Sequence, residues 1–595
     1  MKISRTWLQT FFDLHLPDVQ TIAGALTFHV FEIESVENDV LDVKVTPNRG
    51  HDCLSHRGIA KELSAILNIP MKADPLRTSI SLEPRTDAVK VIVKDSRLCP
   101  RFTGAYIKDV RVGPSPDWLQ KRLETVGQKS INNIVDATNY VMFDLGQPLH
   151  AFDVGKLSGD DGARAMTVRL AKKGEKLLGL DDKEYALSPL MLVIEDANTG
   201  VIASIAGIKG GKPTGIDEAT TDIFLEAANW DGVTIRKMSQ ALKLRTDASD
   251  RFQQVISPEL AAYGTMAAAK LIMELAGGEV VGFVDEYPFP QKPWSVSVST
   301  SKVNSVLGTL LTGADVADAF ARLHLECRRK GDVFTVNVPF ERLDLTISED
   351  LIEEVARIIG YDKIPATELP LFSKKPDVNP NFYAAERARE GLVSEGYSEV
   401  FTSVFAEKGE RAVLNKAGGE KPYLRTTLVD GLREALERNT RNRDALGIKD
   451  VKIFEIGVVW KGGKEVTMIG TADSDGVREE LLRISGDRIS RYGELPISTT
   501  ERYEPFSKYP FIVRDIALWV PSDTKSDEVL SVIQKVAGEL LTRSELFDTF
   551  EKEGKTSLAF RLVFQSFDRT LTDDDANARM ESVYSVMKER GWRVR

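Results

Sequence analysis

The chain has 595 residues, a formal net charge of −11, 28% charged and 42% hydrophobic residues, and three cysteines. At ~100–200 residues per domain this length needs four or five units, and the acidic balance excludes a chain that coats itself in nucleic acid, although one basic surface survives such an average. Cys53, Cys99 and Cys327 stand far apart without a CxxC pair, which excludes a thiolate zinc site or a disulfide framework and suits a reducing cytoplasm.

The opening segment MKISRTWLQTFFDLHLP is broken by Gln9, Asp13 and His15 before an apolar signal core forms. No run reaches the ~18 apolar residues of a membrane span, so a soluble chain is expected. A helical pattern through Ile59, Leu63, Ile66 and Leu67 stops at Pro70, and a polar stretch to about Arg85 closes a first domain, residues 1–85. A second, 86–285, starts on the alternating KVIVKD, passes the glycine-rich SIAGIKGGKPTG and ends after an alanine-rich helix at Leu260–Ala276. Pro288, Pro290 and Pro293 form the next join. Residues 294–366 read as short helices, a hairpin in ECRRKGDVFTVNVP and an acidic helix. Pro365, Pro370, Pro376 and Pro380 then lead to 370–490, where helix (FYAAERAREGLVSEG) and strand (VKIFEIGVVW) signals predict an antiparallel sheet with flanking helices.

The last domain, 504–595, reads as β-α-β-β-α-β: an alternating FIVRDIALWVP, a helix capped by Ser526, strands in LFDTFE and TSLAFRLVFQS, a helix opened by Thr572 with Asp575 and closed by Gly591, and a basic KERGWRVR tail. The whole is a multidomain α+β chain.

The acidic helix poses the sharpest question. In ERLDLTISEDLIEEVARIIGYD, Leu351, Ile352, Val355, Ile358 and Ile359 form one apolar stripe, and Asp350, Glu353 and Glu354 share the other side. Thr346 with Glu349 reads as a capping box, and Glu353 faces Arg357. Local physics favours a solvated face. The alternative is that Asp344 folds back to join Asp350, Glu353 and Glu354 around a hard cation, because carboxylate oxygens without His or Cys suit magnesium.

Two further segments carry polar groups. TNYVMFDLGQPLHAFD holds Thr138, Asn139 and His150 beside a Gly-Gln-Pro turn, and a lone histidine there is more often structural than catalytic. AGIKGGKPTG fails as a phosphate loop because Ala206 replaces the first glycine and Pro213 follows the lysine. Its glycines instead let backbone approach a ligand closely.

In order along the chain, MKISRTWLQTFFD, TPNRGHDCLSHRGIAKEL, IVDATNYVMFDLGQPLHAFD, FLEAANWDGVTIRKMSQALKLRTDAS, the acidic helix, YLRTTLVDGLREALERNTRNRD with IFEIG, and KYPFIVRDIALWV resemble the beta subunits of bacterial phenylalanyl-tRNA synthetases almost end to end. The resemblance implies an editing module, a winged-helix-like module bearing the acidic helix, a class II synthetase core-like sheet without catalytic residues, and a ferredoxin-like anticodon-binding domain. It implies an alpha subunit that holds the aminoacylation site for phenylalanine and ATP, an α2β2 assembly on tRNA(Phe) in the cytoplasm, and Mg2+ on Asp344, Asp350, Glu353 and Glu354. It also implies hydrolysis of mischarged Tyr-tRNA(Phe) in a pocket of Thr138, Asn139, His150, Gly210, Glu226 and Ala228. There Glu226 accepts the tyrosine hydroxyl, Gly210 and Ala228 leave room for the ring, and Thr138, Asn139 and His150 border the ester. The rival reading is a non-catalytic scaffold that grips tRNA.

The sequence departs from the family pattern twice. An inserted oligonucleotide-binding barrel of the family is absent near Val36–Val40, and DRFQQVISP stands where the family has something close to HRFERGVDP, making Asp250, Gln254 and Ser257 unexpected.

Overall fold

The computed structural model describes residues 1–157, 164–369, 379–414, 421–483 and 506–595; the expected domain limits at 370, 490 and 504 lie outside them. Two compact units, Met1–Leu369 and Pro370–Arg595, divide the chain. Each combines small sheets with helices, an α+β architecture.

The first unit begins with β1 (Lys2–Ser4), α1 (Val19–His29), β2 (Glu32–Glu37), β3 (Val40–Lys44) and α2 (His56–Leu67), the strands ordered β1-β3-β2. Asp18 caps α1, and Ser55 caps α2, which ends in left-handed Asn68 ahead of Pro70. β2 and β3 form a hairpin across Asn38 and Asp39, with Asn38 at φ 54°, a conformation asparagine tolerates. This tight turn lies at Val36–Val40, the expected place of the absent insertion.

Next come β4 (Val89–Val93), β5 (Arg101–Lys108), α3 (Asn133–Leu145), β6 (His150–Asp153), β7 (Arg164–Leu170), β8 (Leu192–Asp196), β9 (Ile202–Ile205), β10 (Lys209–Gly210), β11 (Ile223–Asn229), α4 (Leu260–Ala276) and β12 (Glu279–Glu286). They build a five-stranded sheet, β10-β9-β8-β7-β4, and a four-stranded antiparallel sheet, β12-β5-β11-β6. Every residue of β11 is buried, because its sheet is covered on both sides. Ile223 and Leu225 belong to a cluster with Ile134, Val141 and Ile272 of α3 and α4, whereas Phe224 and Ala228 belong to one with Val168 and Ile194 of the other sheet. Side chains alternate along a strand, so Glu226, between Phe224 and Ala228 in that alternation, is forced into the space between the two sheets.

β13 (Ser295–Ser299), α5 (Thr300–Leu307), α6 (Gly313–Arg322), β14 (Cys327–Lys330), β15 (Val333–Asn337) and α7 (Ser348–Ile359) complete this unit, with strand order β13-β15-β14. One apolar cluster runs from Ile3, Trp7 and Leu63 to Phe320, Phe334, Leu351 and Val355, tying the two ends of the unit together.

The second unit holds α8 (Pro380–Ser394), β16 (Ser398–Glu399), α9 (Val429–Arg441), β17 (Ile453–Lys461), β18 (Lys464–Asp473) and β19 (Gly476–Leu481). The sheet is mixed, not purely antiparallel as expected, because β16 runs parallel to β17. After it come β20 (Ile512–Pro521), α10 (Ser526–Ala537), β21 (Leu541–Lys552), β22 (Lys555–Phe564), α11 (Asp573–Glu589) and β23 (Arg593–Val594), ordered β21-β22-β20-β23 in space. Thr572 and Asp575 make the expected capping box. Ser526 is the first helical residue of α10 and not its cap, a place taken by Lys525 without a side-chain bond. Trp592 of the basic tail is buried in the core. Among the described residues no helix is long and apolar enough to cross a membrane.

Candidate functional site

His150 and Glu226 stand directly opposite each other in the β6–β11 register, and both line a cavity of about 80 Å3 between the two sheets, with Gly210, Ser204, Lys209 and Phe252 in its wall. Glu226 is 6% exposed. Burial pushes its carboxyl up to about 8, so it is neutral at pH 7. Burial likewise holds the His150 imidazole down at about 4, and its buried Nε2 has no hydrogen-bond partner. Phe152 fixes that ring edge-on, with centroids 4.6 Å apart. A Cβ on Gly210 would overlap His150 Cε1 and stand 2.8 Å from Nε2, so only glycine keeps this wall clear.

Of the six residues implied for the pocket, the structure brings three, His150, Gly210 and Glu226, to one cavity. Ala228 shares the face of Glu226 two residues along β11 but does not line the space; its carbonyl accepts from Gln147 Nε2 at 2.9 Å. Thr138 and Asn139 lie on α3 outside it, and the Thr138 hydroxyl donates to Val135 O at 2.7 Å. Ser204 and Phe252 were not singled out in the sequence: one sits in the discarded glycine-rich loop and the other in the DRFQQVISP segment, and neither belongs to a recognisable spacing. That segment is locally well used. Asp250 accepts from Arg245 Nε at 2.6 Å, Gln254 packs against Gly50, and Ser257 Oγ donates to Gln291 Oε1 at 2.8 Å.

The acidic face of the helix is only partly solvated: Glu353 is exposed as expected and Glu354 is not. Glu354 is 3% exposed and lies between two guanidinium groups, 2.9 Å from Arg342 and 2.7 Å from Arg357. Burial pushes its carboxyl up, and Arg342 and Arg357 outweigh burial to hold it well below the usual range. Arg357 therefore pairs with Glu354, not with Glu353 as expected, and also reaches Glu62 at 2.5 Å. Asp344 forks onto Arg342 at 2.9 and 2.7 Å and meets His51 at 3.0 Å. Burial raises its carboxyl, while the Arg342 and His51 bonds bring it down far more. The box at the helix start also differs: Asp350, not Glu349, accepts from the backbone N–H groups of Thr346 and Ile347, at 2.7 and 2.9 Å. Glu349 instead pairs with Lys302 at 2.6 Å.

Three of the four implied metal ligands, Asp344, Glu353 and Glu354, line a cavity of about 380 Å3 together with Arg49 and Arg357, and Asp350 does not. The donor set fits a hard cation in kind, because these are carboxylate oxygens, but in number it is three and two of them are shared with guanidinium groups. Elsewhere among the described residues, the ligand atoms of Asp52, Cys53 and Glu62 converge. Arg49 occupies that convergence, 2.7 Å from Asp52, 2.6 Å from Glu62 and 3.3 Å from Cys53 Sγ. The motif TPNRGHDCLSHRGIAKEL thus supplies the counter-ions of a buried network whose other half comes from α7.

Four family models match the chain: "B3/4 domain" over residues 98–277, "tRNA synthetase B5 domain" over 296–361, "Phenylalanyl tRNA synthetase beta chain CLM domain" over 364–480 and "Ferredoxin-fold anticodon binding domain" over 507–595. Similar curated proteins, each called "Phenylalanine--tRNA ligase beta subunit", come from Moorella thermoacetica (34% identical, covering 94% of this chain and 80% of that protein), Syntrophus aciditrophicus (32%, 95% and 82%) and Bacillus thuringiensis (31%, 94% and 80%).

Proposed function

The chain belongs to the family of phenylalanine–tRNA ligase beta subunits, and on that premise we propose that the cavity of His150 and Glu226 is a hydrolytic site for tRNA(Phe) wrongly esterified with tyrosine. As a beta subunit the chain serves the formation of phenylalanyl-tRNA beside an alpha subunit. The α2β2 assembly, the cytoplasmic setting and the placing of phenylalanine and ATP on the alpha subunit are part of our reading. So are the modules: editing at 86–285, winged-helix-like at 294–366, class II core-like without catalytic residues at 370–490, and ferredoxin-like anticodon binding at 504–595. The β-α-β-β-α-β order supports the last of these, and α8, none of whose fifteen residues is buried among the described residues, supports a covering partner.

The observation that carries the hydrolytic reading is Glu226: a buried, neutral carboxyl with no protein partner, across from His150 in a cavity between the sheets. A phenylalanine pocket rejects an added hydroxyl only weakly, so a second site that demands the hydroxyl is required for accuracy. Against tyrosine, the acid group of Glu226 meets the phenolic hydroxyl and accepts its hydrogen. Against phenylalanine it faces a C–H and stays unpaired, at a cost of about 1–3 kcal/mol. The volume is below the ~300–1,000 Å3 of pockets that enclose a whole ligand, so this cavity takes the ring end. The ester and ribose remain outside, at the end to which we assign Thr138 and Asn139. Gly210 leaves the ring its space, and the small Ala228 keeps the neighbouring strand position low.

Water is the nucleophile. Its oxygen adds to the ester carbonyl, the carbon–oxygen bond to the ribose breaks, and the proton passes to the ribose oxygen, releasing tyrosine and free tRNA. Mg2+, when bound, would be held by Asp344, Glu353 and Glu354; we give it a structural part. In the assembled enzyme, Glu226→Ala or His150→Ala abolishes release of tyrosine from Tyr-tRNA(Phe). An unchanged rate in both variants refutes the site, and a stable ester with the unaltered protein leaves the scaffold reading.

A further inference from the structure

One wall of the ring cavity holds a hydroxyl that the fold does not use. Ser204 on β9 is 4% exposed and lines the cavity, and its side chain has no hydrogen-bond partner among the described residues. Its direction follows from the sheet. Ser204 is the antiparallel partner of Gly210, and directly opposed residues project to the same face, with Cβ atoms ~4.5–5.5 Å apart. The Gly210 face meets His150 Cε1 and Nε2, so the Ser204 hydroxyl projects to the His150 side of the space. Glu226 enters the same space from the other sheet. Three polar groups from three strands therefore converge, and none is matched by protein. A buried imidazole nitrogen without a partner is the exception in folded proteins, and the Ser204 hydroxyl and the Glu226 carboxyl share its cavity, so the three together mark the place of a ligand's polar atom.

We propose that Ser204 is a second reader of the substrate's ring hydroxyl, donating to the phenolic oxygen while Glu226 engages the phenolic hydrogen. A phenol offers one hydrogen and two lone pairs; the neutral Glu226 carboxyl meets the hydrogen and one lone pair, and the serine hydroxyl meets the other. An unsubstituted ring leaves both protein groups facing C–H, and the two penalties act in the same direction on selectivity. This inference rests on the hydrolytic reading of the cavity. It adds a specificity residue and no chemical step.

The test uses the assembled alpha–beta enzyme with Tyr-tRNA(Phe) and Phe-tRNA(Phe) as separate substrates, comparing the unaltered protein, Ser204→Ala and Glu226→Ala. The expected result is a fall of about tenfold in kcat/KM for the tyrosyl ester in Ser204→Ala, the worth of one neutral hydrogen bond, with no matching fall for the phenylalanyl ester, so that selectivity narrows about tenfold. Thermal melting of Ser204→Ala guards against a folding defect; no loss of Tm is expected, since an unpaired hydroxyl is removed. Equal losses on both esters, or none on the tyrosyl ester while Glu226→Ala loses its activity, overturn the role of Ser204 alone. No tyrosyl hydrolysis by the unaltered enzyme overturns the reading of the cavity itself.

Discussion

Replacing Glu226 by glutamine keeps the shape of a neutral carboxyl and removes its titration, and the structure fixes what this does to stability. The ordinary carboxyl value is 4.5, and burial in the cavity raises it to about 8. A group raised on folding binds more protons in the native state, so it costs nothing below pH 4.5, and its cost grows as pH climbs towards 8, where it levels off. At about 1.4 kcal/mol per pH unit, the native state carries a penalty of about 3 kcal/mol at pH 7, which Glu226→Gln removes. The variant is therefore expected to be more stable than the unaltered chain at pH 7, nearly equal to it at pH 4.5, and ahead by about 5 kcal/mol above pH 8. Urea titrations at several pH values, followed by tryptophan fluorescence, read the gap; Trp230 is buried beside Gly207 at the cavity edge. A gap that does not change with pH, or that narrows as pH rises, refutes the claim that Glu226 is held neutral. The same variant should keep tyrosyl-ester hydrolysis within about tenfold, because an amide offers the phenol the same donor and acceptor pair, whereas Glu226→Ala offers neither.

Gly210→Ala places a methyl group on the His150 ring; the ring must move at a cost of about 1–3 kcal/mol, and Tyr-tRNA(Phe) deacylation should fall while phenylalanine charging persists. Arg357→Met leaves Glu354 and Glu62 buried without their shared cation, which should destabilise the first unit by about 3–5 kcal/mol in a urea titration. Magnesium affinity measured by calorimetry should drop with Glu353→Gln and be nearly unchanged with Asp350→Asn, because Asp350 serves the helix start and lies outside the cavity lined by Asp344, Glu353 and Glu354.

Much of the terminal domain could be read from local pattern. Strand alternation in FIVRDIALWVP and the Thr572–Asp575 box are short-range signals, and both elements formed where expected. The acidic helix shows where local reading ends. Its apolar stripe was plain, but Glu354 was placed on the solvent side because Arg342 and Arg49, whose charges make its burial tolerable, come from other elements. The cavity shows the same limit. Glu226 sits in a strand whose seven residues are all buried, so no alternation of polar and apolar positions marks it, and its juxtaposition with His150 and Ser204 is created by strand register across two sheets. The mixed direction of β16 is likewise a two-residue pairing with no sequence signature.

The most direct test of the account is the fate of tyrosine on tRNA(Phe). Given pre-formed Tyr-tRNA(Phe), the assembled enzyme should release tyrosine rapidly, and both Glu226→Ala and His150→Ala, assembled equally well, should leave the ester intact. Release at the same rate by all three proteins, or survival of the ester with the unaltered one, would contradict it.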